Sequence, residues 1–445
     1  MNQDNPGLTD TIVQPHPPLI GPVTGQERFA SMDVIRGAAL FGILLMNIFG
    51  FGYGIGGTEY IDPATRVGAD YWTWFVMIFA LEGTQRTLFS LLFGAGVIIL
   101  TSRMEERGAG LFTADIFYRR NIWLIAFGMI HAYLLLWDGD ILYYYGIVAL
   151  FLFPLRNMSP RNLILASLAA FLAMSLVNNY DKKEAFDDFT AYTEAQEILA
   201  GGGELDEEQE GAVEKWEEAV KDHVADEEKI QEDIDNHTGS YWKTFMHHVP
   251  YLTEGHGNDM YIYMFLDGFS VMVLGMALFK LGFLTLQRPS SDYWFMALIG
   301  YGVGLSVSWW EVNHIVSNNF DMLAMAETWP TYDMGRLGNG LGHLGLLLLF
   351  VRSGALGWLQ KGLAAVGRMA LTNYIMHSVI AMFVFLGVGF GLYGQFSRIE
   401  LYYVVLAIVV FQLIISPIWL KYFRFGPLEW IWRSLTYMKR PQLRR

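Results

Sequence analysis

Long apolar runs recur between Arg36 and Leu420, separated by short polar connections. In lipid every backbone N–H and C=O needs a partner within the protein, so such a chain can only fold as helices or as a closed barrel. The runs are continuous and do not alternate, which excludes a barrel. The composition agrees: 53% of residues are hydrophobic and 17% charged, where soluble domains carry about 25% charged residues. The expected fold is therefore all-α, a polytopic helical membrane protein of about ten transmembrane helices. The spans fall at 36–52, 72–100, 117–137, 141–154, 161–178, 260–281, 293–313, 333–351, 368–390 and 400–420.

The net charge of −14 is local. Residues 179–259 hold 23 acidic residues against 6 lysines, leaving 21 acids and 24 bases elsewhere. Placing the N-terminus in the cytoplasm puts 20 of the Lys and Arg residues in cytoplasmic segments, and leaves only Arg66, Arg336 and Arg398 in short outer loops. Both termini are then cytoplasmic and the acidic segment is extracytoplasmic. Five parts are expected: a flexible tail 1–27, a five-span bundle 28–178, an acidic helical insert 179–259, a second five-span bundle 260–424, and an interfacial tail 425–445. Within the insert, 204–234 is rich in Glu, Ala and Lys and reads as helix, with the three glycines of 201–203 as a hinge or loop.

Several chemistries are excluded or left without a motif. An anionic insert does not favour nucleic acid. There is no cysteine, no phosphate-binding glycine loop and no G-x-S-x-G elbow. His247, His248 and His256 lie near Glu254 and Asp259, but their spacing is not a known metal pattern, so no metal is expected.

Ionisable groups inside a membrane are candidates for function. Asp33 and Arg36 are i, i+3 at the start of the first span and can pair, with Arg36 suited to the phosphates of an anionic donor. Asn47 lies eleven residues further, about 16 Å along the axis. Glu82 and Arg86 are i, i+4 in the second span and read as a pair, followed by Gly94 and Gly96, which admit close helix contact. His131 reads as deep in the third span. Asp140 lies beyond its end, too far for direct contact if the helix runs straight. Asp267, Glu311 with His314, and Arg336 with His343 on one face of the eighth span are candidates to line an outward cavity. Thr372, Asn373 and His377 are polar at the start of the ninth and read as interhelical hydrogen bonders.

Five stretches carry a resemblance: RFASMDVIRGAALFGILLMN (28–47), residues 84–96, HAYLLLWDGDIL (131–142), GRMALTNYIMHS (367–378) and residues 425–437 near the C-terminus. Together they resemble the YeiB-like family of bacterial integral membrane proteins of undefined activity. That family looks like a branch of a transmembrane acyltransferase superfamily, which includes sugar O-acyltransferases and the lysosomal heparan-glucosaminide acetyltransferase. In many O-acyltransferases the first helix carries Arg, ten residues and then His; here the spacing holds from Arg36 but ends on Asn47, as in the heparan-type enzymes.

The resemblance implies a bacterial inner-membrane acyltransferase with acyl-CoA as donor and a sugar or envelope lipid as acceptor. The residues then suggest roles. His131 would be the general base, Asn47 would donate to the carbonyl oxygen as charge develops, and a carboxylate such as Asp140 would orient the imidazole. Two other classes remain open: a transporter or channel for a small metabolite, and a non-catalytic envelope scaffold docking through the insert. Membrane lipids are the expected surroundings, and the oligomeric state is not legible.

Overall fold

The computed structural model describes residues 29–53, 68–223, 227–255 and 259–445, which form helices joined by short connections. The tail 1–27, Arg28, residues 54–57, Arg66 and His256 lie outside the described residues, as do the side chains of Glu254 and Asp259.

The first half runs α1 (Ala30–Gly52), α2 (Gly68–Val76), a π-helical stretch Met77–Leu81, α3 (Thr84–Glu106), α4 (Phe112–Leu134), α5 (Leu142–Leu150) with a 3-10 turn Phe153–Asn157, and α6 (Pro160–Ala200). Next come α7 (Glu207–His223), α8 (Glu227–His237) and α9 (Tyr241–Gly255). The second half is α10 (Asp259–Lys280), α11 (Ser290–Ser317), α12 (Met322–Ser353), α13 (Gly357–Arg368), α14 (Ala370–Phe385), α15 (Arg398–Tyr422) and α16 (Pro427–Tyr437).

Among the described residues, seven units are long and apolar enough to cross a membrane: α1, α2 through α3, α6, α10, α11, α12 and α15. With α4, the short α5 and its 3-10 extension, and α14, which meets α13 at 84°, about ten helices cross. The fold is all-α, as the apolar runs require.

α1 is the central helix, packed by α3, α12, α13, α14 and α15. Its Ile35, Ala39, Leu40, Leu44 and Ile48 are fully buried. Helices at the periphery turn apolar side chains outward: Leu165, Leu168, Leu172 and Leu176 form an exposed stripe on α6, at the i, i+3, i+4 spacing of a lipid-facing surface.

Close packing between halves rests on particular glycines. A Cβ at Gly94 would run into the Met272 carbonyl and one at Gly275 into Leu91, so α3 and α10 touch backbone to backbone. Gly96, expected from sequence to share this role, faces open space. Gly275→Val is therefore expected to cost about 1–3 kcal/mol by overpacking. Gly96→Ala should be neutral, or stabilising by up to ~1 kcal/mol through helix propensity. Thermal unfolding of the two variants in detergent measures the contrast.

The acidic insert does not stand apart from the bundle. The expected boundary at 179 falls inside α6, which runs 41 residues without a break. The hinge at 201–203 is a turn, with Gly202 at φ +79°. α7 folds back on α6, where Trp216 packs 5.0 Å from Phe189 and Lys215 pairs with Asp188 at 2.7 Å. α8 and α9 instead lie on the bundle. Gly387 N–H donates to the His237 carbonyl at 2.9 Å, and Tyr241 Oη donates to the Leu134 carbonyl at 3.0 Å. The bundle end covered by this hairpin is called the insert end below.

At the opposite end, α16 lies across the base of the bundle. Trp432 Nε1 donates to the Arg120 carbonyl at 2.9 Å while the Arg120 guanidinium stacks 3.7 Å from its ring. Glu429 accepts from Thr372 N–H at 3.1 Å and Thr372 Oγ1 at 2.6 Å, a carboxylate on the positive end of α14. Burial pushes its pKa up against those bonds.

Candidate functional site

α4 ends at Leu134, so His131 stands in its last turn, near the insert end and not deep in a longer span. Beyond it Leu136 adopts φ +54°, a left-handed conformation that turns the chain back. Asp138 Oδ1 then accepts from Gly139 N–H at 2.8 Å, and Asp140 Oδ2 accepts from Tyr143 N–H at 2.8 Å at the start of α5. The return passes directly over Gly128, where a Cβ would strike Tyr143 N.

This reversal overturns the expectation that Asp140 lies out of reach, because the helix does not run straight past Leu134. Asp140 Oδ1 is 2.7 Å from His131 Nδ1. On the other side of the ring, Nε2 is 2.6 Å from Ser378 Oγ on α14. A carboxylate at Nδ1 makes that nitrogen the N–H donor, so Nε2 is left to accept from the serine hydroxyl. Tyr374, one turn before Ser378, sets its ring edge-on to the imidazole at 5.0 Å. His131 is fully buried, and Ser378 and Asp140 are nearly so. A buried Ser–His–Asp series bonded in this order is the arrangement that makes a serine hydroxyl nucleophilic.

A cavity of about 270 Å³ adjoins this series. Asn47, Glu82, Arg86, Asp138, Asp140 and Tyr144 line it, so the first and second expected spans meet here with the start of the fourth and the turn that precedes it. His131 does not line it and reaches it only through Asp140. A second, much smaller chamber of about 20 Å³ lies beside Ser378, walled by Trp137, Asp138, His237 and His248. That is room for about one water. Asp138 lines both spaces, and Trp137, packed 3.9 Å from Phe51, lines the smaller one. Burial raises the Asp138 pKa, partly offset by the Gly139 N–H. A larger depression, about 620 Å³, is an apolar groove between α14 and α15, not lined by these groups.

The second span breaks where the cavity begins. Glu82 ends the π-helical stretch and Gly83 sits at φ +65°, packed under the Arg336 side chain. The i, i+4 pairing expected of Glu82 and Arg86 needs a continuous helix, so it does not form. Both instead meet Tyr332, whose hydroxyl donates to Glu82 at 3.0 Å and accepts from Arg86 at 3.5 Å. Arg86 pairs with Asp267 at 3.1 Å. Asp267 also pairs with Arg336, which binds Asp333 at 2.7 Å; Asp333 accepts from Asn178 at 3.0 Å. The ion network thus joins α3, α6, α10 and α12.

Other expected site residues lie elsewhere. Asp33 and Arg36 pair at 2.9 Å, as their spacing foretells, at the end of α1 opposite Asn47. Glu311 accepts from Thr331 at 2.6 Å, and His314 pairs with Glu327 at 2.5 Å, so these two do not meet each other. His343 Nδ1 bonds the Asn339 carbonyl at 2.6 Å within its own helix, two turns from Arg336 but outside its network. Asn373 is fully buried and ties α14 to Ser416 of α15 at 3.1 Å, the interhelical bond expected of it. His377 bonds Gln412 at 3.0 Å.

Sequence reasoning missed Ser378, Gly83 and Tyr332. Ser378 stands in GRMALTNYIMHS beside the more conspicuous His377. The available signal was its i, i+4 position after Tyr374.

Comparison with known proteins adds kinship without an activity. Residues 278–439 match a family described as "Protein of unknown function (DUF418)". The chain is 28% identical to the uncharacterized protein YxaH of Bacillus subtilis (strain 168), covering 94% of this chain and 96% of that one. It is 28% identical to the uncharacterized protein YeiB of Escherichia coli (strain K12), covering 92% and 96%. An uncharacterized 39.9 kDa protein from Bacillus acidopullulyticus is 27% identical, covering 94% and 96%. No solved structure matches.

Proposed function

Since this integral membrane protein is YeiB-like along most of its length, we propose that it is an acyltransferase working within the membrane, with Ser378 as the nucleophile. The observation that carries this reading is the run of short bonds Ser378–His131–Asp140 beside a cavity that Asn47, Glu82 and Arg86 also line. As Ser378 Oγ bonds to the carbonyl carbon of an acyl thioester, its proton passes to His131 Nε2. The C–S bond then breaks and the sulfur leaves with that proton. An acceptor hydroxyl attacks the resulting ester, His131 takes its proton, and the proton returns to Ser378 as that oxygen leaves. Asp140 holds the imidazole tautomer throughout.

The proposal alters the role read from sequence for His131. Its Nε2 is bonded to Ser378, so it acts first on that serine and only then on the acceptor. Asn47, Glu82 and Arg86 line the larger cavity and offer donors and an acceptor to a sugar or lipid headgroup. With both termini in the cytoplasm, Arg36 lies on the donor side, placed for the phosphates of acyl-CoA. The chamber of about 20 Å³ beside Ser378, lined by Trp137 and Asp138, must widen before an acyl group reaches the hydroxyl.

The test uses the full chain in proteoliposomes with radiolabelled acetyl-CoA and palmitoyl-CoA. The expected result is label covalently held by the protein and mapped to Ser378. Product formed without label on Ser378 removes the serine from the mechanism. A second reading, transport of a small metabolite, is favoured by the broken span at Gly83 on the cavity wall, since interrupted helices line transporter sites. Solute flux with neither label nor product establishes that reading instead.

A further inference from the structure

Outside the proposed acyl-transfer groups, the α8–α9 hairpin gathers Asp233, His237 and His247, with one potential ligand atom from each lying within 4.8 Å of the others. Asp233 is buried and His237 nearly so. Asp233 Oδ1 is 3.1 Å from His237 Nδ1 and 3.6 Å from His247 Nε2. Bonds of ~2.0–2.2 Å in a tetrahedral site place donor atoms about 3.3–3.6 Å apart, so these separations fit one ion with small shifts. We propose that Asp233, His237 and His247 bind a divalent transition-metal ion of the zinc class.

The outer partners fit that assignment. Metal-bound imidazoles donate their second N–H, and bound carboxylates are themselves hydrogen-bonded. Tyr393 Oη donates to Asp233 Oδ2 at 2.8 Å, and Asp233 Oδ1 faces the two imidazoles. His237 Nε2 is 2.9 Å from His248 Nε2, which accepts its proton. His247 Nδ1 is 3.2 Å from the Asn236 amide, whose oxygen accepts once the amide is turned over. Tyr393 also stacks on the His237 ring at 4.0 Å. His237 Nδ1 lies 2.8 Å from the Asp233 carbonyl, and the ion replaces that bond.

Two histidines and a carboxylate leave a fourth position for water or a substrate oxygen, the pattern of an open zinc site. His237 and His248 wall the same small chamber as Ser378, so the ion pins the hairpin over that chamber. The sequence concealed the set because its ligands come from two helices, with only His247 inside the His-rich stretch.

The test is metal content of the full-length protein purified in detergent, stripped with chelator and dialysed against micromolar zinc. About one zinc per chain is expected. Cobalt(II) in its place should give the intense visible absorption of a tetrahedral site. Asp233→Asn, His237→Ala and His247→Ala should each lower zinc affinity at least tenfold, while His314→Ala, distant from the hairpin, leaves it unchanged. Wild-type protein that retains no zinc overturns the site, whether or not acyl transfer is found. So does full binding by all three ligand variants. Helicity and monodispersity of each variant identify any that fail to fold; the wild-type measurement decides the matter without them.

Discussion

Ser378→Ala is expected to lower acyl transfer on the order of 10⁴-fold, with the helical content and oligomeric behaviour of the protein unchanged. The substitution removes one oxygen and leaves His131 Nε2 without its 2.6 Å partner, so a stability loss of about 1–3 kcal/mol accompanies it. A merely structural serine would show that loss and little more. The discriminating measurement is therefore kcat across a set. His131→Ala should fall as far as Ser378→Ala, and the double variant no further, because groups that act as one unit are not additive. Asp140→Asn should fall on the order of 10⁴-fold through loss of the correct tautomer, since an amide at Nδ1 no longer requires an N–H there. Losses that multiply across the set, or turnover that survives in Ser378→Ala, remove the serine from the chemistry.

Asp267→Asn is expected to be the most destabilising single change in the bundle, at about 3–5 kcal/mol. Its carboxylate stands between Arg86 of α3 and Arg336 of α12; Arg336 is buried and Arg86 half-buried. Removing it leaves two cations with only Asp333 close to Arg336 and Glu82 reached through Tyr332. A buried pair broken on one side costs far more than the same pair removed whole. Asp267→Asn combined with Arg86→Leu should therefore recover more than half of the loss, since Arg336 keeps Asp333. Thermal unfolding in detergent measures both. A single variant that melts with wild type, or a double variant no better than the single, shows that the network carries little of the stability.

Several site features were legible from residue type and position. Asp33 and Arg36 pair because both lie on one unbroken helical turn. Asn47, Glu82, Arg86 and Asp140 were singled out as polar groups in apolar surroundings, and all four line one cavity. Predictions that assumed a straight helix failed. Glu82 and Arg86 do not pair because Gly83 takes a left-handed conformation between them, and Asp140 reaches His131 because the chain reverses at Leu136. Each break depends on a neighbour that sequence spacing does not reveal: Arg336 over Gly83, and the Asp140 and Tyr143 return over Gly128.

By itself the sequence determined that this chain is helical and membrane-embedded, with about ten crossings, a charged helical segment between its halves, and a small set of polar side chains that lipid would not tolerate. Hydrophobicity along one dimension suffices for that, because the cost of exposing backbone and charge to hydrocarbon is paid residue by residue. Only the tertiary structure decided which polar group meets which. Ser378 comes to His131 across 247 positions, and Tyr393 to Asp233 across 160. Those meetings are set by where α14 packs and by how the α8–α9 hairpin settles on the bundle. Such contacts join segments far apart in the chain, and no local periodicity encodes them.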